Sequence, residues 1–381
     1  MKRKILYISG TRADYGLMRS VLSAIQMHPS MELQIAVTGM HLMPEFGYTL
    51  NEIKKDGFPC HIINAIQEKD TKDSMASFVG RFIQEFVTKV QDLKPDFILV
   101  LGDRGEMLGG AVVGAYLGIP VIHIHGGEVT ATVDEFARHA ITKLSHIHLA
   151  STEQSAQRII KMGENPRHVF VVGAPGLDQV QQVISASDKE IIDRYHIDSA
   201  RPVIIVLQHP VPLEPGNPAV QMNETMKAVV DLDCQVFVIS PNADAGGKAM
   251  IETIKNYESC KNVQTFHNID HLDFLHLLKL SSVIVGNSSS GIIEAPSFGV
   301  PAVNIGTRQK GRQKGDNIID TGYNSHEIAN AIDHALNDTE FRNNVKNTKN
   351  PYGEGNSSEK IVDILNKIVI TPDLLQKRMM Y

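Results

Sequence analysis

Residues 283–312 read VIVGNSSSGIIEAPSFGVPAVNIGTRQKGR. An apolar run ends on a glycine, a serine-rich turn follows, a helical pattern comes next, and Pro301–Ile305 makes a second apolar run. Two such runs with a helix between them mark a βαβ unit with parallel strands. The alternation extends over the whole chain. Strands are expected at Lys4–Ser9, Leu33–Thr38, Asp96–Gly102, Pro120–His125, His148–Ser151 and His168–Val172. A second series is expected at Pro202–Gln208, Cys234–Ser240, Val263–His267, Ser282–Gly286 and Pro301–Ile305. The fold class is therefore α/β, with doubly wound parallel sheets covered by helices on both faces. After the polar stretch SASDKE (185–190) the pattern restarts. Two Rossmann-like domains are expected, residues 1–184 and 185–357, followed by a helix over about 358–381.

The chain has 381 residues, 42% hydrophobic and 21% charged, enough for sizeable cores. Its net charge is −6 and it has no long Lys/Arg block, which argues against a dominant nucleic-acid or anionic-membrane partner. No apolar stretch reaches the roughly 18–20 residues of a membrane span. The brief apolar run behind MKRK alternates like a strand and is too short for a secretory leader. Cys60, Cys234 and Cys260 are far apart and form no CxxC pair, which fits a reducing compartment. A cytoplasmic location is expected. One helix is unusually clear: Phe78, Val79, Phe82, Ile83, Phe86, Val87 and Val90 form a wide apolar stripe, packed on the sheet or on another subunit.

Ligands of open parallel sheets sit beyond the carboxyl ends of the strands, so the residues just after each strand are the candidates. The first strand is followed by GTRADYG (10–16), with Gly10, Arg12 and Asp14. Gly10 lets a ligand approach the backbone and Arg12 suits a pyrophosphate; a helix cap beside a surface arginine is the plainer reading. The turn is neither GxGxxG nor a Walker loop. GDRGE (102–106) supplies Asp103, a cap or a base, with Arg104 and Glu106. VIHIHGGE (121–128) points His123 and His125 to the same face. An HxH strand end can begin a metal site, but no clear stretch supplies the remaining ligands. His123 reads as a buried supporting histidine, and His125 at the tip is better placed for a ligand. On the next helix Asp134 and Arg138 lie at i and i+4 and share a face. In the second domain His209 follows a strand, where it would titrate near neutrality as an acid or base. Asn287, Ser288, Ser289 and Ser290 form a neutral anion cradle. Glu294, about one turn on, can accept both hydroxyls of a ribose, and Arg308 adds positive charge. Together these read as a nucleoside-diphosphate site.

GTRADYG, GDR, HIHGGE, DEFARHAITKLSH, LQHP, GNSSSG and GTRQKGR occur here in the order seen in UDP-N-acetylglucosamine 2-epimerases. The chain resembles the hydrolysing branch of bacterial sialic-acid biosynthesis over about residues 4–365. The resemblance implies a GT-B-like fold, two Rossmann-like domains facing a central cleft, with the last helix returning to the first domain. It implies a small-molecule nucleotide-sugar substrate, no metal and no other cofactor, and a homodimer or homotetramer. UDP-GlcNAc would lose UDP and its C2 proton to give a 2-acetamidoglucal, and hydration with inversion at C2 would release N-acetylmannosamine. By carry-over, Arg12, Ser288, Ser289, Ser290 and Arg308 hold the phosphates, Glu294 the ribose, and His209 helps the leaving group depart. Asp103, Glu128 and Asp134 are the acid–base candidates at C2, and Asp14, Arg104, Arg138 and Asn287 complete the substrate-binding set. His125 stands where many members of the family have glutamate, so it replaces that group or a carboxylate takes over. Leu17 stands near the family's lysine, with Arg19 beyond it. The competing readings are the same reaction on UDP-2,4-diacetamido-2,4,6-trideoxyglucose, the non-hydrolysing epimerase, an HxH metallohydrolase, and a non-catalytic sugar-nucleotide binder.

Overall fold

The computed structural model describes residues 2–69, 71–129, 133–211, 214, 216–242 and 244–380, with the backbone alone for Val133 and Asp134. The chain forms two compact units. The first holds residues Met1–Glu128, Asp134–Asp178 and Gly355–Tyr381, the second Val129–Val133 and Gln179–Glu354.

The first unit is built on seven parallel strands: β1 (Arg3–Ser9), β2 (Met31–Val37), β3 (Cys60–Ile62), β4 (Phe97–Leu101), β5 (Val121–Ile124), β6 (Ile147–Ala150) and β7 (Val169–Val171), in the order β3-β2-β1-β4-β5-β6-β7. β1 and β4 are buried on both faces, which is why they read as continuous apolar runs. The Phe78–Val90 stripe lies on the helix Lys72–Leu93. Phe82 and Phe86 stack with ring centroids 5.0 Å apart, in one core cluster with Ile8, Val100 and Met107. Val79, Ile83 and Val87 pack against the same cluster, so the stripe is taken up inside its own unit. On the other face the helix Arg12–Met27 buries Met18, Val21, Leu22 and Ile25. They share a core with Ile361 and Leu365 of the helix Ser357–Lys367 and with Leu374 of the short helix Pro372–Gln376. The terminal segment is thus two helices rather than one.

The second unit has six parallel strands: β8 (Val203–Leu207), β9 (Gln235–Ile239), β10 (Val263–Phe266), β11 (Val283–Gly286), β12 (Ala302–Ile305) and β13 (Ile318–Thr321), in the order β10-β9-β8-β11-β12-β13. The unit starts at Gln179, six residues before the expected domain start at residue 185. Val183 and Ile191 both enter its core, so SASDKE is a turn inside the unit and not a linker. The expected strands lie within one or two residues of those observed; β3 and β13 were not anticipated. Among the described residues no helix is long and apolar enough to cross a membrane.

Candidate active site

In each sheet the strand order reverses at one point, β1/β4 in the first and β8/β11 in the second. Such switch points open a crevice beyond the strand ends. The motifs singled out in the sequence leave the sheets there or one strand away.

In the first unit Asp14 sits just past β1. Its carboxylate accepts from the N–H groups of Gly10 (3.0 Å) and Thr11 (2.6 Å). It also accepts from the hydroxyls of Ser9 (2.6 Å), Thr11 (2.9 Å) and Tyr7 (3.0 Å). The Thr11 hydroxyl accepts in return from the Asp14 N–H, closing a capping box. Burial pushes the Asp14 carboxyl up, opposed by the Ser9 and Thr11 hydrogen bonds. With five donors on one buried carboxylate, Asp14 holds the turn together. Ser9 gives its proton to Asp14 and so accepts from His41 Nε2 at 2.9 Å, while His41 Nδ1 accepts from Thr49 at 2.7 Å. Burial lowers the His41 ring to about 4. Arg12 opens the helix and pairs with Glu52 at 3.0 Å, its side chain about a fifth exposed. Arg19 is paired with Asp56 at 2.6 Å.

Past β4, Asp103 forms an ion pair with Arg138. Arg138 is buried, and its guanidinium also donates to the Glu128 carbonyl at 3.2 Å. Arg138 thus ties the Asp103 carboxylate to the backbone of Glu128 and orients it. The Asp134 side chain, its expected partner, lies outside the described residues. Arg104 Nε donates to Glu106 Oε1 at 2.8 Å. Glu106 is 1% exposed and its Oε2 has no hydrogen-bond partner among the described residues. Its side chain fills the space in front of Gly10, where a Cβ would lie 1.8 Å from Oε1, so any larger residue there would have to displace the Glu106 carboxylate.

Past β5, His125 takes a left-handed backbone (φ 62°), rare for a non-glycine residue and concentrated at functional turns. Its Nδ1 lies 3.9 Å from Glu128 Oε1, and Glu128 accepts from the Ser151 hydroxyl at the end of β6. His123 is engaged through both nitrogens, Nε2 with the Gly102 carbonyl (2.7 Å) and Nδ1 with Thr142 (3.2 Å). Burial lowers its ring to about 3. His123 therefore steadies the residue before Asp103 and has no lone pair for a metal. Among the described residues no three His, Cys, Asp or Glu side chains gather as metal ligands.

In the second unit Gly286 (φ 136°) ends β11 so close to β8 that a Cβ would meet the Leu207 carbonyl oxygen at 2.2 Å. The Asn287 side chain does not face outward as a ligand: its Oδ1 accepts from the His209 N–H (2.7 Å) and its Nδ2 donates to the His209 carbonyl (2.9 Å). Both polar atoms of the Asn287 side chain are thus engaged with the His209 backbone. The Asn242 N–H donates to His209 Nδ1 at 3.1 Å. Burial and the Arg308 charge lower the His209 ring to about 3. The unliganded protein thus keeps it neutral at pH 7, against the expectation of near-neutral titration. Ser289 precedes a single helical turn, Ser290–Ile293, without a side-chain capping bond, and the Ser290 N–H donates to the Ser288 hydroxyl at 3.3 Å. Glu294 follows that turn, 2% exposed, with Oε2 unpartnered among the described residues. Burial pushes its carboxyl up to about 7, opposed by its own N–H and the Ser290 hydroxyl. Arg308 and Gln309 both donate to the Asn287 carbonyl, at 3.1 and 2.8 Å, and Arg312 donates to Gln309 at 2.9 Å. Ser151, Gln309 and Arg312 were not singled out from the sequence, and Glu106 was noticed without a role.

Two doubly wound units with polar switch points define a GT-B-like α/β protein. The family is narrower. The family model described as UDP-N-acetylglucosamine 2-epimerase matches residues 23–366, and the chain belongs to this family. It is 40% identical over 99% of both chains to a Legionella pneumophila UDP-N,N'-diacetylbacillosamine 2-epimerase (hydrolyzing). It is 36% identical to a Neisseria meningitidis serogroup B UDP-N-acetylglucosamine 2-epimerase, covering 96% of this chain and 95% of that one. The crystal structure of the Neisseria meningitidis UDP-GlcNAc 2-epimerase bound to UDP-GlcNAc shares the fold with a TM-score of 0.82 at 21% identity, covering 96% of this chain and all of that one.

Proposed function

We propose that the protein is a hydrolysing 2-epimerase of a UDP-linked 2-acetamido sugar. The observation that carries the reading is the second switch point, where a serine turn, a neutral histidine and an arginine precede or flank a buried carboxylate with a free oxygen. Ser288, Ser289, Ser290 and Arg308, with Arg12, bind the diphosphate, and the Glu294 carboxylate takes the ribose hydroxyls. Cleavage of C1–O builds positive charge at C1, which the Asp103 carboxylate stabilises while Arg138 holds it in place. The C2 proton then leaves to a protein base, giving the 2-acetamidoglucal. Water adds at C1 and a proton returns to the opposite face of C2. Overall, UDP-sugar and one water give UDP and the free 2-epimer. His125, Glu128 and Asp134 are the proposed groups for the two proton transfers, with Ser151 fixing Glu128.

The substrate favoured first is UDP-N,N'-diacetylbacillosamine (2,4-diacetamido-2,4,6-trideoxy), because the 40%-identical relative carries that activity in its name over the full length of both chains. UDP-GlcNAc is the second reading, favoured by the 36%-identical relative. Proton NMR in heavy water with each nucleotide sugar tests both. Free sugar, inverted and deuterated at C2, together with UDP is the expected result. UDP-ManNAc forming from UDP-GlcNAc without UDP release would move the protein to the non-hydrolysing branch. No turnover of either sugar by folded protein would overturn the proposal.

A further inference from the structure

At the carboxyl edge of the second sheet four adjacent strand ends are tied in a row, in the order β9-β8-β11-β12. Asn242, after β9, gives its N–H to the ring of His209, after β8 (3.1 Å). Asn287, after β11, grips the His209 backbone on both sides, accepting its N–H at 2.7 Å and donating to its carbonyl at 2.9 Å. The Asn287 carbonyl in turn receives Arg308 and Gln309, after β12. Asn287 is 1% exposed and Gln309 fully buried, while Asn242, His209 and Arg308 are half-buried at the sheet edge.

We infer that Asn287 is a positioning residue: by gripping the His209 backbone it seats the ring on the Asn242 N–H, so that Nδ1 stays unprotonated and Nε2–H is offered as a hydrogen-bond donor. The inference deepens the proposed function and rests on it for the identity of the acceptor, a diphosphate oxygen. A ring nitrogen that accepts an N–H cannot carry a proton, and a neutral imidazole then has its single proton on the other nitrogen. Arg308, the charged group bearing on this ring, further opposes a second proton. His209 therefore acts by donating from Nε2, and Asn287 acts through it. The grip requires an amide. A carboxylate would set a lone pair against the His209 carbonyl, a serine has one polar atom, and a glutamine is a methylene too long.

The test is a long-range 15N–1H spectrum of the full chain with labelled histidine, the His209 signal being assigned by its loss in His209→Asn. Wild type should show an Nε2–H ring at pH 7 with no protonation down to about pH 5. An Nδ1–H ring, or a midpoint near 6.5, would overturn the inference. In Asn287→Asp the ring should become a mixture of tautomers, with its midpoint raised by about one unit or more. UDP affinity should stay within about tenfold of wild type, while kcat falls about a hundredfold. A folded variant with the wild-type ring spectrum would refute the role, as would a hundredfold loss of UDP affinity with the ring unmoved. If Asn287→Asp does not fold, Asn287→Ser and the wild-type spectrum decide. If no UDP-sugar is turned over, the functional reading fails, and the ring spectra still decide what Asn287 does.

Discussion

Asp14 and Glu294 are both buried carboxylates a few residues past a strand, and they do opposite things. Asp14 is saturated by five donors from its own turn. Glu294 keeps one oxygen without a partner among the described residues. In the sequence the two look alike, because a carboxylate behind a Gly- or Ser-rich turn serves a cap and a ligand equally. The deciding signal for Asp14 was present as Thr11-x-x-Asp14, a capping-box spacing. For Glu294 nothing local announced the empty oxygen, which depends on burial by distant residues. The folded Glu294 carboxyl is raised from its ordinary value of 4.5 to about 7. A raised carboxyl stabilises the fold below its unfolded pKa, and that contribution is lost as pH rises from about 4.5 through 7. Glu294→Gln should therefore raise the melting temperature of the unliganded protein at pH 8 by about 2–4 °C, on the order of 1 kcal/mol, while weakening UDP binding by calorimetry. An unchanged melting point with unchanged UDP affinity would remove Glu294 from the site. His209→Ala should lower kcat by about 10²–10⁴-fold with circular dichroism intact; near-normal turnover would take His209 out of the mechanism.

The central strands were legible because burial on both faces writes them as unbroken apolar runs. β3 and β13 were not, since each is a short edge strand: CHI and IIDT are half-exposed and mix polar with apolar residues. The site followed the same division. Charged residues and histidines inside a strand-end motif were found, whereas Ser151 and Gln309, the latter inside GTRQKGR, matter through partners 23 and 22 residues away, Glu128 and Asn287. The end of the first unit shows how one residue can close an element. Asp178, the last residue before the chain passes to the second unit, accepts from the N–H groups of Ser357 (2.8 Å) and Ser358 (2.6 Å) at the start of the helix Ser357–Lys367. It is a capping residue supplied from 179 positions away. Asp178→Ala should cost about 1–2 kcal/mol and show first as faster hydrogen exchange over residues 357–367. Equal exchange in variant and wild type would mean that the helix is held by packing alone.

Across the molecule, the first unit is assembled from both ends of the chain. Ile361, Leu365 and Leu374 complete the core formed by Met18, Val21, Leu22 and Ile25. Beyond them Lys377 forms an ion pair with the buried Glu164 at 2.6 Å, and Glu164 also holds Lys143 and His148. Those partners outweigh burial and bring the Glu164 carboxyl down to about 2. A depressed carboxyl contributes stability above its ordinary value near 4.5, lost as pH falls towards 2. Removing residues 355–381 deletes three buried aliphatic side chains, each worth about 2–5 kcal/mol, together with this charge cluster. Hydrogen exchange should then show β1 and β2 losing protection while β8 and β11 keep theirs. Protection lost equally in both sheets would mean that the two units unfold as one.

This arrangement also sets the order in which the polypeptide can mature during synthesis. The strands of the first unit and the helix Arg12–Met27 emerge before the second unit, yet the helices Ser357–Lys367 and Pro372–Gln376 that complete their core are made after it. At about 5–20 residues per second, the roughly 200 residues in between take roughly 10–40 s to translate. The second unit, contiguous from Gln179 to Glu354 apart from Val129–Val133, can close its core within that interval. The unit begun first is thus finished after the second, and until residues 357–376 are made the helix Arg12–Met27 lacks the apolar cover that Ile361, Leu365 and Leu374 give it.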